Sequence, residues 1–238
     1  MGIRHPWWLA GIVGGLAGGL IGYAVASPRS QLLCRTVWRG PRDRKQVALT
    51  FDNGPSPQGT ELILDILRRE GVPATFFLLG NSVQKYPDLA RAIAEEGHVI
   101  GNHGFTHRSL FWLGPDATAR EIDRGFHAIA TTCDVLPRLF RPAYGVRNFF
   151  LADLLERRGW QMVHWSRSAG DWRQHGARRL DSWIQRVEGG DILLWHDGTR
   201  YSRVYPRTVT VAALSQVIPY LRDKGFQFVT VDRFIDRA

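Results

Sequence analysis

From Val47 onward, short apolar runs alternate with stretches whose apolar residues recur every three to four positions. Runs of the first kind lie at 47–51 (VALTF), 74–79 (ATFFLL), 98–102 (HVIGN), 139–142 (LFRP), 162–166 (MVHWS), 191–195 (DILLW) and 226–231 (FQFVTV). Such short apolar runs read as buried strands. Of the second kind, 61–70 (ELILDILRRE) carries Leu62, Ile63, Ile66 and Leu67 on one stripe, and Gly71 follows as a C-cap. The stretches 87–96, 117–130, 149–158, 179–187 and 209–224 are similar, and Gly97, Gly159 and Gly225 close three of them. This alternation predicts an α/β fold with about seven parallel strands. A dinucleotide-type open sheet would want G-x-G-x-x-G after its first strand, where this chain has Asp52-Asn53-Gly54-Pro55. The other polar candidates follow strands in different parts of the chain. That pattern suits a (β/α) barrel, whose site collects strand C-termini.

The N-terminus breaks the alternation. Trp7 to Ala26 is twenty residues without a charge, long enough as a helix to span about 30 Å of hydrocarbon. Trp7, Trp8 and Tyr23 lie near its ends, where amphipathic aromatics favour the interface. Gly14, Gly18 and Gly22 share one face, which permits close helix packing. A single-pass anchor is the expectation. Arg4 followed by Ala24-Val25-Ala26 also reads as a cleaved signal peptide, but the apolar stretch exceeds a usual signal core. The chain thus divides into a membrane segment (1–30), a basic linker (31–45) and a catalytic domain (46–238).

Charge changes the picture once. The net +9 over 238 residues first suggests nucleic acid. Residues 1–45 hold seven Lys+Arg against one Asp, leaving 24 against 21 beyond, so the excess sits beside the apolar segment. Arg29, Arg35, Arg39, Arg42, Arg44 and Lys45 suit anionic lipid headgroups rather than nucleic acid. A plain positive-inside count puts the domain in the cytoplasm. Two cysteines, Cys34 and Cys133, are too few for a disulfide scaffold or a cysteine zinc site and read as free thiols.

Polar residues with chemical potential cluster at the strand ends. Asp52 closes the first run, where a buried carboxylate is costly unless paired or working. Asp-Asn-Gly-Pro is equally good turn chemistry. His103 and His107 stand four apart, a spacing that would align both imidazoles on a helical turn for metal chelation, with Asn53 or Asp52 supplying oxygen. Arg141, Tyr144, Asp171, Trp172 and His196 follow later strands. Singly each has a bland reading as ion pair, turn or rim residue. Together a barrel would gather them at one mouth.

These residues fall into five ordered motifs: Thr50-Phe51-Asp52-Asn53-Gly54-Pro55, Gly101-Asn102-His103 through His107, Arg141-Pro142-Ala143-Tyr144-Gly145, Trp165-Ser166 through Asp171-Trp172, and Leu194-Trp195-His196-Asp197. In this the chain resembles the polysaccharide deacetylases of the NodB-homology family, over about Val47 to Phe234. The resemblance implies a distorted (β/α) barrel and metal-dependent removal of N- or O-acetyl groups from sugar polymers. It implies Asp52 as general base, His103 and His107 as metal ligands with position 53 the third, and a divalent ion such as zinc. It implies Arg141 orienting Asp52, the Tyr144 N–H facing the oxyanion, Asp171 tuning the acid His196, and Leu194 lining the acetyl pocket beside Trp172. Two positions depart from the pattern: Asn53 stands where the family usually has Asp, and Ser168 where the fourth motif has its first Asp. A neutral ligand should weaken the metal. An acetylated cell-envelope carbohydrate is the expected substrate, which favours an extracytoplasmic domain against the charge count. The alternatives are a metal-free or lipid-linked-sugar deacylase, and a silent sugar binder.

Overall fold

The computed structural model describes residues 18–171, 180–198 and 208–235. Among the described residues there are nine strands: β1 (Thr36–Val37), β2 (Gln46–Asp52), β3 (Thr75–Leu78), β4 (Val99–Asn102), β5 (Leu139–Phe140), β6 (Gln161–Val163), β7 (Arg167–Ser168), β8 (Ile192–His196) and β9 (Gln227–Phe228). The helices are α1 (18–26), α2 (Thr60–Glu70), α3 (Gly80–Lys85), α4 (Pro87–Glu95), α5 (Pro115–Cys133), α6 (Leu151–Arg158), α7 (Leu180–Ile184) and α8 (Thr208–Asp223). All pairings between named strands are parallel, in the order β1-β6-β5-β4-β3-β2-β8-β7 with β9 beside β2. β1 and β7 do not pair with each other, so the sheet is a half-barrel rather than a closed ring.

Strand β2 shows how alternation builds the two layers. Val47, Leu49 and Phe51 face outward into a cluster with Ile63 and Leu67 of α2 and Leu214 and Ile218 of α8. Ala48 faces inward, with Phe77, Leu139, Val163 and Ile192. The same period carries Thr50 and Asp52 inward, so the last residue of the strand points into the mouth. Strand β8 obeys the same rule: Leu193 and Trp195 pack outward, leaving Leu194 and His196 on the inner face.

Several expectations are corrected. β1 lies within the segment 31–45 expected to be a linker, and pairs with β6 through Thr36↔Met162 and Val37↔Val163. The run 162–166 ends as a strand at Val163, and the chain then shifts partners so that β7 pairs with β8. The last run keeps only Gln227 and Phe228. Helix α3 (GNSVQK) has two buried residues, Gly80 and Val83, too few for a periodic signal. Among the described residues no helix is long and apolar enough to cross a membrane. The span expected over 7–26 is described only from residue 18, and its first part lies outside the described residues. Both cysteines are free, as expected. Burial pushes the Cys133 thiol up to about 11, which leaves it unreactive at neutral pH.

Candidate active site

Register brings the two ends of the chain's chemistry together. Asp52 of β2 and His196 of β8 are paired residues at the carboxyl ends of adjacent strands, so both side chains rise from the same face. The Asp197 N–H donates to the Asp52 carbonyl at 3.2 Å and continues the ladder one residue further. On the other side of β2, the His103 N–H donates to Leu78 at the end of β3, and the Arg141 N–H to Asn102 at the end of β4. Each functional side chain thus begins within a residue or two of a strand terminus.

Asp52 is buried, and its two oxygens differ. Arg141 Nη1 donates to Oδ1 at 2.7 Å. No hydrogen bond among the described residues reaches Oδ2, which lies 3.8 Å from His103 Nε2. Arg141 is fully buried and almost fully bound. Nη1 also donates to Thr50 Oγ1, Nη2 donates to the His164 carbonyl, and the guanidinium lies 3.9 Å from the Phe77 ring centroid. Burial pulls its pKa down and Asp52 opposes that pull. An arginine so fixed holds Asp52 in one orientation.

His103 is buried. Its Nδ1–H donates to the Arg141 carbonyl at 2.7 Å, which leaves the neutral ring's lone pair on Nε2, the atom facing Asp52. Burial lowers its pKa, only partly offset by Asp52, so the ring is the neutral form that a metal requires. His107 lies with its ring 5.2 Å from that of His103 and 4.6 Å from that of Tyr144. The two histidines do not share a helical turn, a correction to the spacing argument. Residues 103–109 form a loop in which Gly104 and His107 both take left-handed backbone angles (φ 85° and 62°), and this reversal brings the imidazoles together.

Asn53 also has a left-handed backbone (φ 78°), and its buried side-chain Oδ1 has no hydrogen-bond partner. Among the described residues no three His, Cys, Asp or Glu side chains group as a metal site. The imidazoles of His103 and His107 with the amide oxygen of Asn53 would make the kind of nitrogen and oxygen set that zinc accepts. An orphaned buried carbonyl oxygen fits a cation, because it is otherwise a costly unsatisfied acceptor.

On the far side of Asp52, the His196 Nδ1–H donates to Asp171 Oδ1 at 2.9 Å. Asp171 Oδ2 accepts from the His196 backbone N–H and from Thr210 Oγ1 of α8. Nε2 of His196 therefore points away from Asp171. Leu194 lies one inward position below His196, buried, in register with Thr50 and Ser168. Tyr144 is half exposed, on a 3-10 turn where its own φ is 60°. Trp172 lies outside the described residues.

The geometry also exposes supports that sequence reasoning missed. Glu121 of α5 is buried and accepts from the N–H groups of Phe105 and Thr106 and from the Thr106 hydroxyl, pinning the His103–His107 loop. Its signal was a carboxylate on the buried stripe Thr118, Ile122, Gly125, Ile129. A Cβ at Gly125 would lie 2.5 Å from Asn102 Oδ1, so that glycine lets the loop meet the helix. Asp197 holds the first motif from the opposite side. Its Oδ2 accepts from Thr60 Oγ1 and its carbonyl from Ser56 Oγ.

Comparison with known proteins matches the polysaccharide deacetylase family model over residues 39–163, more than half the chain. The chain belongs to the polysaccharide deacetylase family. Membership makes it a carbohydrate deacetylase, a hydrolase. It is 38% identical to a chitooligosaccharide deacetylase of Rhizobium leguminosarum bv. trifolii, across 77% of this chain and 89% of that protein. It is 34% identical to a peptidoglycan-N-acetylglucosamine deacetylase of Bacillus cereus, across 83% and 92%. A solved peptidoglycan N-acetylglucosamine deacetylase superposes with a TM-score of 0.77 at 31% identity, covering 85% of this chain and 94% of that one. Within this deacetylase, the fourth and fifth motifs lie beyond the residues matched by the family model. The structure nevertheless joins Asp171 and His196 and sets them beside Asp52.

Proposed function

We propose that this chain is a metal-dependent deacetylase that removes N-acetyl, or O-acetyl, groups from an amino-sugar carbohydrate of the cell envelope. The observation that carries this reading is the asymmetry of Asp52. One oxygen is fixed by Arg141, the other faces a neutral His103 at 3.8 Å, and the next residue, Asn53, keeps a buried oxygen without a hydrogen-bond partner.

An amide carbonyl is a poor electrophile and amide nitrogen a poor leaving group, so hydrolysis needs a base, an oxyanion site and an acid. His103, His107 and Asn53 would hold the divalent ion, which when bound supplies Lewis acidity to the acyl oxygen and to water. Asp52 Oδ2, unencumbered by Arg141, takes the proton of the attacking water. The Tyr144 N–H, presented by its left-handed backbone, faces the developing oxyanion. His196, oriented through Nδ1 by Asp171, delivers a proton from Nε2 to the departing amine. Leu194, one inward position below, receives the acetyl methyl.

A silent sugar binder would have no use for the oriented Asp171–His196 pair, and this favours turnover. We place the domain at the cell membrane on the extracytoplasmic side, on the strength of the uncharged stretch 7–26 and the envelope substrates of the relatives.

The test is acetate release from acetylated chitooligosaccharides and peptidoglycan by the purified chain, before and after chelation and with zinc restored. Release that stops on chelation and returns with zinc supports the reading. Release indifferent to chelation favours the metal-free deacylase, and no release from any substrate favours the silent binder.

A further inference from the structure

The apolar N-terminal segment leaves the barrel at its catalytic end. Helix α1 has only Ala24 and Val25 buried; residues 18–23 are exposed, among them Leu20, Ile21 and Tyr23. An uncharged helix exposed all round calls for an apolar cover. Its end is tied to the loop of the third motif. The Arg147 N–H donates to the Val25 carbonyl, and the fully buried Arg147 guanidinium donates to the carbonyls of Ser27 and Ser30. Arg147 is three residues past Tyr144, so α1 departs beside the oxyanion loop.

The surface next to that departure is aromatic. Phe149 and Phe150 follow directly and are exposed. Asn148 Nδ2 donates to the carbonyls of Leu110 and Leu113, which binds this loop to the turn carrying Phe111 and Trp112. Trp112 is 81% exposed, and its ring centroid lies 4.7 Å from that of Phe111 in an edge-to-face pair. Two neighbouring mouth loops and an unpartnered helix thus form one apolar rim. In sequence, α1 closes the uncharged stretch 7–26, and an uncharged helix leaving beside exposed aromatics fits a bilayer surface; Arg39 and Arg42, by contrast, are engaged with Asp191 and Glu188 before β8.

We infer that this rim is a bilayer-docking face, so that the active site opens toward the membrane and takes acylated amino sugars carried on lipid. The substrate half of this inference rests on the deacetylase reading above; the docking half does not.

The experiment uses the full chain with Cys34→Ser and Cys133→Ala, reconstituted in phosphatidylglycerol–phosphatidylethanolamine vesicles. A nitroxide is attached at Phe149→Cys or, as the comparison, at Leu136→Cys. Leu136 is 69% exposed and lies before β5, at the opposite end of the sheet. The label at 149 should collide more with dissolved oxygen than with a water-soluble nickel chelate, and the label at 136 the reverse. Equal water access at both positions overturns docking. Spin–spin broadening at 149 without vesicles assigns the rim to a second copy of the chain and also overturns it.

The substrate half is read with Trp112→Ser/Phe149→Ser/Phe150→Ser in the full chain. Turnover of a vesicle-borne N-acetylglucosamine glycolipid should fall by ~10-fold or more, since interfacial binding scales with apolar area, while turnover of soluble N-acetylglucosamine oligomers persists. Equal loss on both substrates makes the aromatics sugar contacts and overturns the inference. A wild-type chain that cleaves neither substrate defeats the deacetylase reading, and the spin labels still decide the docking.

Discussion

Asp52 and Asp191 are both buried aspartates at the tips of central strands, one at the carboxyl end of β2 and the other just before β8. Their environments are opposites. Asp191 receives Arg39 Nη2 at 2.6 Å and Ser166 Oγ at 2.7 Å on Oδ1, and Arg167 Nε and the Glu188 N–H on Oδ2. Both its oxygens are committed. Asp52 commits one oxygen to a single arginine and leaves the other without a hydrogen bond among the described residues. A saturated carboxylate can only hold structure, because any proton it took would displace a donor. An unsaturated one of equal burial can accept a proton without dismantling its surroundings. Burial therefore does not mark function here; the unfilled lone pair does.

Substitution of each aspartate sharpens the contrast most. Asp52→Asn should lower turnover per folded molecule by ~10²–10⁴-fold, the scale of a lost general base, and should also cost stability because the buried Arg141 loses its carboxylate. Asp191→Asn should spare turnover. It strands two arginines and costs about 3–5 kcal/mol in denaturant unfolding, while activity per folded molecule is retained. If Asp191→Asn abolished activity without affecting stability, the contrast would collapse.

His196→Ala should reduce turnover by ~10²-fold or more, the usual loss for a general acid, and leave zinc binding measured by calorimetry intact. His103→Ala should lose the zinc. Equal loss of zinc in both variants would merge roles that the geometry separates. Asn53→Asp should tighten zinc by ~10–100-fold in the same titration, a scale seen for perturbed metal surroundings, because it adds charge at the orphaned oxygen.

The smallest effect concerns His164, whose ring nitrogens are both buried and without partners. Burial holds its pKa well below the ordinary 6.5, and nearby Arg147 and Arg141 push the same way. The unfolded chain thus takes up the proton first on acidification. Stability should be full above about pH 6.5 and decline below it, by at most about 1.4 kcal/mol per pH unit for each such histidine. His164→Leu should flatten that decline in urea unfolding at pH 5 to 7.5, with His98 and His103 leaving a residual slope.

The parallel α/β alternation was legible because long runs such as Val47–Phe51 and Ile192–Trp195 are buried on both faces and need only apolarity to be seen. The two-residue strands β1 and β7 were not, since neither Thr36–Val37 nor Arg167–Ser168 carries a period. Side chains at strand ends were found because the strand fixes where its last residue points. The loop between His103 and His107 was misread as helical because spacing alone does not show that Gly104 and His107 are left-handed. Glu121, and the bracing role of Asp197 in the fifth motif, were missed for a different reason. Their work is done on backbone N–H groups and hydroxyls of other segments, which no local pattern reveals.

The pairing Asp52↔His196 has a wider consequence. The proposed base and acid stand on hydrogen-bonded neighbouring strands, so the backbone gap between them is set by the sheet's own spacing of about 4.8 Å and not by any loop. Loops can lengthen, shorten or exchange their side chains to suit a new glycan while that interval stays constant. The half-barrel works as a ruler for one bond, with the surrounding loops free to diversify what is brought to it.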